Sequence, residues 1–369
     1  MNNKQQKGVF IMNTLKKIGL TALGTSLVAG SAYAGEITAS GDAGYTWSSE
    51  EVGVRTDEGY GYNHDITFTG SGELDNGFTV TTTMILIEDS GISSSNVALT
   101  MGGLGTVTIG NGLANVGGAF DDVTPRAYEE NHDGMKTSTA IDNMGSFTSA
   151  NAVMYSSPSF DLGGGSVSFM LGYTPEAGDA ATGEGGVSAQ SGNYGSSTTA
   201  GVNVSFAGLS AGIFGEEVKD DTGRTVSGQS RRNDAMSASW FANYTMGPVS
   251  FGYQKGGLDH GINAASTTAN AAKTIAAAGG FFEFEKMSVA FNVNENLSIS
   301  YGELTETYNA QDNATTAIAN VDMESDSIQF AYTMGSMSIK GYQTETDNPG
   351  WDANADSDTV TELAVNFAF

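Results

Sequence analysis

The chain has 369 residues, with 15 Lys and Arg against 42 Asp and Glu, a formal net charge of −27. That balance argues against a nucleic-acid partner, because phosphate binding needs a basic footprint, and it fits a cation-rich or cation-conducting setting better. The absence of Cys excludes disulfides, thiolate zinc sites and thiol nucleophiles together.

The first predicted element is a signal peptide over residues 1–34, with Met12 as the alternative start. In "MNTLKKIGLTALGTSLVAGSAYA", Lys16 and Lys17 form the basic region and Ile18 to Ala29 the apolar stretch. Ala32-Tyr33-Ala34 gives a small-residue cleavage site, with the cut after Ala34. The apolar stretch is too short for a membrane-spanning helix, and no later run approaches the ~20 apolar residues such a helix needs. A barrel remains open, since its strands cross with only ~10 alternating residues.

From Gly35 onward the apolar period is two, which predicts strands. "EITASGDAGYTW" puts Ile37, Ala39, Ala43, Tyr45 and Trp47 on one face. "FTVTTTMILIE" does the same with Phe78, Val80, Met84 and Leu86, "SASWFANYTM" with Trp240 and Tyr244, and "SDSIQFAYTM" with Ile328, Phe330, Tyr332 and Met334. "FFEFEKMSVAF" breaks phase near Glu285, as a bulge would. "DTVTELAVNFAF" ends on Leu363, Val365, Phe367 and Phe369, one apolar face.

Connections alternate between short and long. The short ones carry turn chemistry at Asp75-Asn76-Gly77, Gly102 to Gly105, Asp161 to Gly165, Ala207-Gly208, Gly247-Pro248, Asn294-Glu295-Asn296 and Gly335-Ser336. Longer polar segments fall near 48–61, 88–95, 111–149, 175–196, 215–234, 256–280, 305–325 and 346–357. Together these connections join sixteen strands, and outer-membrane barrels show that asymmetry of ends. Aromatics also gather near strand ends, as membrane interfaces favour. A soluble sandwich would alternate as well. The competing reading is a secreted or surface structural β-protein, adhesin-like.

The longest connection, 111–149, carries Asp121, Asp122, Glu129, Glu130, Asp133 and Asp142 against Arg126 and Lys136. Taken alone, such a charge run is a solvated external loop. Mid-strand lysines should face a lumen, because a lysine facing lipid costs about 2–4 kcal/mol at the midplane. That rule places Lys286 and Lys340 on the lumen wall, with Asp42 and Glu362. Arg224, Arg231 and Arg232 fall in the fifth long segment, outside. Asp121, Asp122 and Glu129 are the candidate Ca²⁺ ligands, although no known calcium-loop spacing is present. The three histidines, His64, His132 and His260, lie in no catalytic motif, so no enzyme is expected and no cofactor is required.

Two stretches and the layout carry a family resemblance. "NAVMYSSPSFDLGGGSVSFMLGYTP" (Asn151 to Pro175) resembles the Asn-x-x-x-Tyr-x-Ser-Pro-x-Phe segment of Gram-negative general-diffusion porins of the alphaproteobacterial type. "GLGTVTIGNG" (Gly103 to Gly112) resembles the hairpin entering their third loop, with Asn111 where many members carry Arg. The resemblance implies an all-β fold: a 16-stranded antiparallel transmembrane β-barrel over 35–369, with the long third loop folded into the lumen. It implies a homotrimer in the outer membrane, in contact with lipid and lipopolysaccharide, passing small hydrophilic solutes and ions. Segment 111–149 then becomes a pore constriction, with Asp121, Asp122, Arg126, Glu129, Glu130, Asp133 and Lys136 setting its field. Phe369 becomes the signal that the barrel-assembly machinery reads.

Overall fold

The computed structural model describes residues 35–369, apart from 88–90, 113, 135–138, 146–151, 176, 178–194, 220–224, 227–228, 231–233, 262–279 and 311–319. The signal peptide with Ala34, and also Lys136, Arg224, Arg231 and Arg232, lie outside the described residues. The strands are β1 (Glu36–Val52), β2 (Arg55–Glu73), β3 (Thr79–Ile87), β4 (Gly91–Thr100), β5 (Thr106–Asn111) and β6 (Ala152–Ser156, resuming at Phe160–Asp161). They continue with β7 (Gly165–Thr174), β8 (Ser197–Phe206), β9 (Leu209–Val218), β10 (Ala235–Met246) and β11 (Val249–Asp259). The last are β12 (Gly280–Asn292), β13 (Leu297–Ala310), β14 (Val321–Met334), β15 (Met337–Asp347) and β16 (Asp358–Ala368).

These elements form one antiparallel sheet of 17 segments, two of which are the halves of β6, so the barrel has 16 strands. Pro158 explains the break in β6, because it has no N–H to donate to the ladder. Its neighbour Ser157 holds the gap closed, with its N–H on Phe169 O and its hydroxyl accepting from Phe169 N–H, both at 2.9 Å. The sheet closes where β1 pairs with β16, from Asp42 opposite Ala368 to Val52 opposite Asp358. Beyond β16, Phe369 exchanges both backbone bonds with Gly41 at 2.9 Å. No edge is left at the seam, as hydrocarbon requires.

Alternation sorts the two faces. On β14, Val321, Met323, Ser325, Ser327 and Gln329 are buried, while Asp322, Glu324, Asp326, Ile328 and Phe330 are exposed. Towards the short-turn end the exposed face is apolar, with Ile299, Tyr301, Ile328, Phe330, Tyr332, Met334, Leu363 and Phe367 bare. Further along the same strands it turns acidic, at Glu303, Asp322, Glu324, Asp326 and Glu345. Charge on the outer face thus begins where the apolar band ends, which spares it the cost of facing acyl chains.

All seven predicted short turns are present. Two of the predicted long segments contain strand where a loop was expected. β1 and β2 run to Val52 and from Arg55, leaving a turn of Gly53 and Val54, with Gly53 at φ +58. Their register is unbroken from Glu36 opposite Ser71 to Val52 opposite Arg55. Polar composition misled here, because a strand standing beyond an apolar band needs no apolar residues. β4 likewise starts at Gly91, inside the predicted 88–95 segment. The bulge near Glu285 is also absent: β12 keeps one register against β11 and β13. Phe282, Phe284, Lys286 and Ser288 share the buried face, and Glu283 and Glu285 face out. The phase looked broken because both faces of this strand mix apolar and charged residues.

Candidate functional site

The loop between β5 and β6 doubles back against the buried face of the wall. Its two arms meet at Gly117 and Gly145, where a Cβ on Gly117 would lie 2.4 Å from the Gly145 Cα. Glycine is required because the backbones touch. The first arm then inserts Phe120, fully buried, against Phe214 and Phe241, with ring centroids 5.5 and 6.1 Å away. Gly201 and Gly212 make its pocket, since a Cβ there would approach the Phe120 ring to 2.3 and 2.8 Å. Val116, Ile141 and Met144 of the loop join Leu258, Phe282, Phe284, Leu304, Tyr308 and Trp351 of the wall side in one apolar cluster. This part of the barrel interior is apolar packing.

Polar wall residues grip the backbone beyond Phe120. Gln254 donates to Phe120 O at 2.6 Å and accepts from Val123 N–H at 3.1 Å, and Asn243 donates to Val123 O at 2.7 Å. Ser300 accepts from Ala127 N–H at 2.8 Å. Gln329 accepts from Tyr128 N–H at 3.0 Å and donates to Glu129 O at 2.7 Å. The Tyr128 hydroxyl donates to Glu362 at 3.0 Å, and the Lys340 ammonium sits 5.0 Å from the Tyr128 ring centroid. The second arm hangs on Glu306, whose carboxylate accepts Ala140 N–H at 2.8 Å and Ile141 N–H at 2.9 Å. Trp351 donates its indole N–H to Glu306 O at 3.0 Å. Each buried backbone donor of the loop that is named here thus has a partner on the wall.

One ion pair is fully enclosed. Lys286 and Asp122, with side chains 1% and 0% exposed, are in direct contact, and Arg126 lies 3.5 Å from the same carboxylate. Burial alone would push the Asp122 carboxyl up. The attraction of Lys286, Arg126 and His132 outweighs it and holds the group at about 2. Arg126 also reaches Glu130 at 3.8 Å. Glu129 goes the other way: burial, then the nearby Asp133 and Glu130 carboxylates, push it up to about 7. Burial, then the Glu362 and Glu129 carboxylates, raise the Tyr128 hydroxyl.

The predicted site residues therefore divide. Lys286, Lys340 and Glu362 do lie on the wall face, and the loop meets all three. Asp42 lies elsewhere on the wall, opposite Asp65 in the β1–β2 register. Asp121, Asp122, Arg126, Glu129, Glu130 and Asp133 are all on the inserted loop, but Asp122 is an anchor, not a lining charge. Asp121, Asp122 and Glu129, considered for Ca²⁺, do not converge. Among the described residues the oxygen and nitrogen donors that do converge are those of Glu130, His132 and Asp142. Sequence reasoning missed Gln254, Gln329, Ser300 and Glu306. A signal existed for Glu306: in "YGELTETY" it falls in phase with Leu304 and Tyr308, a carboxyl on an otherwise apolar face.

Glu129 gives a pH prediction. Its folded value near 7 lies above the ordinary 4.5, so it is protonated below about 7 and negative above. The loop's negative charge should rise as pH goes from 6 to 8, whereas its anchoring should weaken between about 4.5 and 7, the interval in which the folded form holds a proton that the released form does not. Proton release on titration across pH 6–8 should be about one equivalent larger in the native protein than in Glu129→Gln.

Comparison with family models gives a match over residues 19–317 to the one described as Gram-negative porin. Comparison with curated proteins gives no match. Among solved structures, the chain is similar to OmpF of Salmonella typhi in complex with daunomycin, at a TM-score of 0.66 and 12% identity, covering 91% of this chain and 98% of that one. It is similar to the trimer form of in-vitro folded OmpT of Vibrio cholerae, at 0.57 and 12%, covering 90% and 99%. It is also similar to a porin refined at 1.8 Å, at 0.58 and 16%, covering 90% and 100%. At these identities the structural likeness speaks to fold alone.

Proposed function

The chain belongs to the Gram-negative porin family, the outer-membrane barrel channels, and from that premise we propose that it passes small hydrophilic solutes and ions passively, favouring cations. The observation that carries this reading is the inserted loop. It narrows a closed barrel, and among the described residues Asp121, Glu129, Glu130, Asp133 and Asp142 outnumber the cations near them, Arg126 and Lys340, because Lys286 is matched by Asp122. Carboxylates along a low-dielectric passage favour cations. A homotrimer is the proposed assembly, as in the trimer form of Vibrio cholerae OmpT. Lipopolysaccharide would meet the outward acids at Glu303, Asp322, Glu324, Asp326 and Glu345, and the barrel-assembly machinery would read Phe369. A secreted adhesin-like β-protein has no use for the bare apolar band.

The test is reconstitution of the mature protein in a planar bilayer. Conductance steps grouped in threes, with a reversal potential on the cation side, are expected. Glu129→Gln with Asp133→Asn should lower the cation-to-anion permeability ratio by roughly twofold or more. An unchanged reversal potential would remove those acids from the constriction. Asp122→Asn is the wrong probe of selectivity, since Lys286 already cancels its charge.

A further inference from the structure

Glu130, His132 and Asp142 each bring one donor atom into a cluster whose members all lie within 4.8 Å of one another. His132 Nε2 stands 2.7 Å from Asp142 Oδ1 and 3.6 Å from Glu130 Oε2. The imidazole is 4% exposed, and the two carboxylates keep partial access at 13% and 27%. The donors come from both arms of the loop, and separate wall residues hold each arm. Gln329 fixes the backbone at Tyr128 and Glu129, and Arg126 holds Glu130. Glu306 fixes Ala140 and Ile141, and the Thr139 hydroxyl accepts from Asp142 N–H at 3.4 Å. This is a preorganised mixed nitrogen and oxygen set, unlike a run of surface acids.

We propose that Glu130, His132 and Asp142 form a site for one divalent transition-metal ion of the zinc class. An imidazole with two carboxylates suits Zn²⁺ and its neighbours Ni²⁺ and Co²⁺, whereas Ca²⁺ and Mg²⁺ prefer oxygen alone. Tetrahedral ligands at about 2.0–2.1 Å from zinc stand roughly 3.3 Å apart. The 2.7 and 3.6 Å separations from His132 straddle that value, and the two carboxylates stand no more than 4.8 Å apart, so modest side-chain shifts make the site. A fourth position stays open to water. The two carboxylates balance the ion's charge, and Arg126 and the wall contacts orient the ligands from outside. Bound metal would tie residues 130 and 142 together and cancel the negative charge at that point of the loop. Binding itself does not rest on the pore reading; the effect on current does.

The detergent-purified mature protein is titrated with ZnCl₂ by calorimetry. One ion per chain is expected, with CaCl₂ at the same concentration unable to compete. His132→Gln and Asp142→Asn should each weaken binding at least tenfold, while His64→Gln leaves it unchanged. Zinc-edge X-ray absorption of the native protein should find one imidazole in the first shell, which decides the matter even if the variants fold poorly. Unchanged affinity in His132→Gln, an all-oxygen shell, or weak binding of many ions would each overturn the site. In bilayers, Zn²⁺ should lower the native current and not that of His132→Gln. Tight binding with unaltered current would overturn the proposed effect on permeation alone. A folded, zinc-free protein that never conducts would instead count against the pore.

Discussion

Lys286→Met is expected to release the loop between β5 and β6 from the wall, giving a larger and noisier single-channel current. Lys286 and Asp122 are enclosed together, so the substitution leaves a buried carboxylate with Arg126 at 3.5 Å as its remaining close cation. Breaking one side of a buried pair costs about 3–5 kcal/mol, whereas removing both charges is often neutral. The double variant Lys286→Met, Asp122→Asn should therefore regain most of the native conductance. Acid gives an independent check. In the native protein Asp122 stays ionised until about pH 2, so the pair is present above the ordinary carboxyl range and is lost only as pH falls through about 2. Without Lys286 the burial effect on Asp122 is less opposed, its carboxyl rises, and mild acid should restore the variant by neutralising it. Native conductance and noise in Lys286→Met would show that the loop is held without this pair.

Phe120→Ala carries the second large effect. The ring is fully buried and fills the space left by Gly201 and Gly212 against Phe214 and Phe241. Emptying such a site costs about 3–5 kcal/mol when the surroundings cannot collapse, and a barrel wall cannot. The barrel should still form, because the strand ladder is untouched. The loop should become sensitive to protease near residues 115–124 in the folded protein, and bulky solutes should permeate faster. Gly212→Val should do the same from the opposite side, since a side chain there occupies the ring's place. Native protease resistance in both variants would place the loop's anchorage elsewhere.

The outside of this barrel was legible in the sequence, and the inside was legible only in part. Period-two alternation and the seven turns followed directly from residues that must face lipid or reverse the chain. Lys340 and Glu362 were found because a charge in the middle of an apolar strand has one tolerable direction. The grip on the loop was hidden. Gln254, Ser300 and Gln329 are ordinary lumen-type residues until a backbone group more than 100 positions away arrives opposite them. Phe282 and Phe284 share a face with Lys286, and nothing local says that a loop will bury them from within. His132 stands beside Asp133 in the sequence, but its partners are Glu130, two positions back, and Asp142, which only the folding of the second arm brings near.

The seam between β1 and β16 has a consequence in time. Its first pair, Asp42 with Ala368, joins the earliest strand to the latest, so no shorter piece of the chain can complete the cylinder. The entropy of that closure grows only slowly with span, by about 0.6 kcal/mol per doubling, but the pairing must wait for every intermediate strand to find its register. Until then two ladders of unpaired amides face outward, and hydrocarbon forbids them. Closure therefore works as a proofreading step. A chain that is cut short or slipped in register by one strand stays open, and an open sheet cannot remain in the membrane.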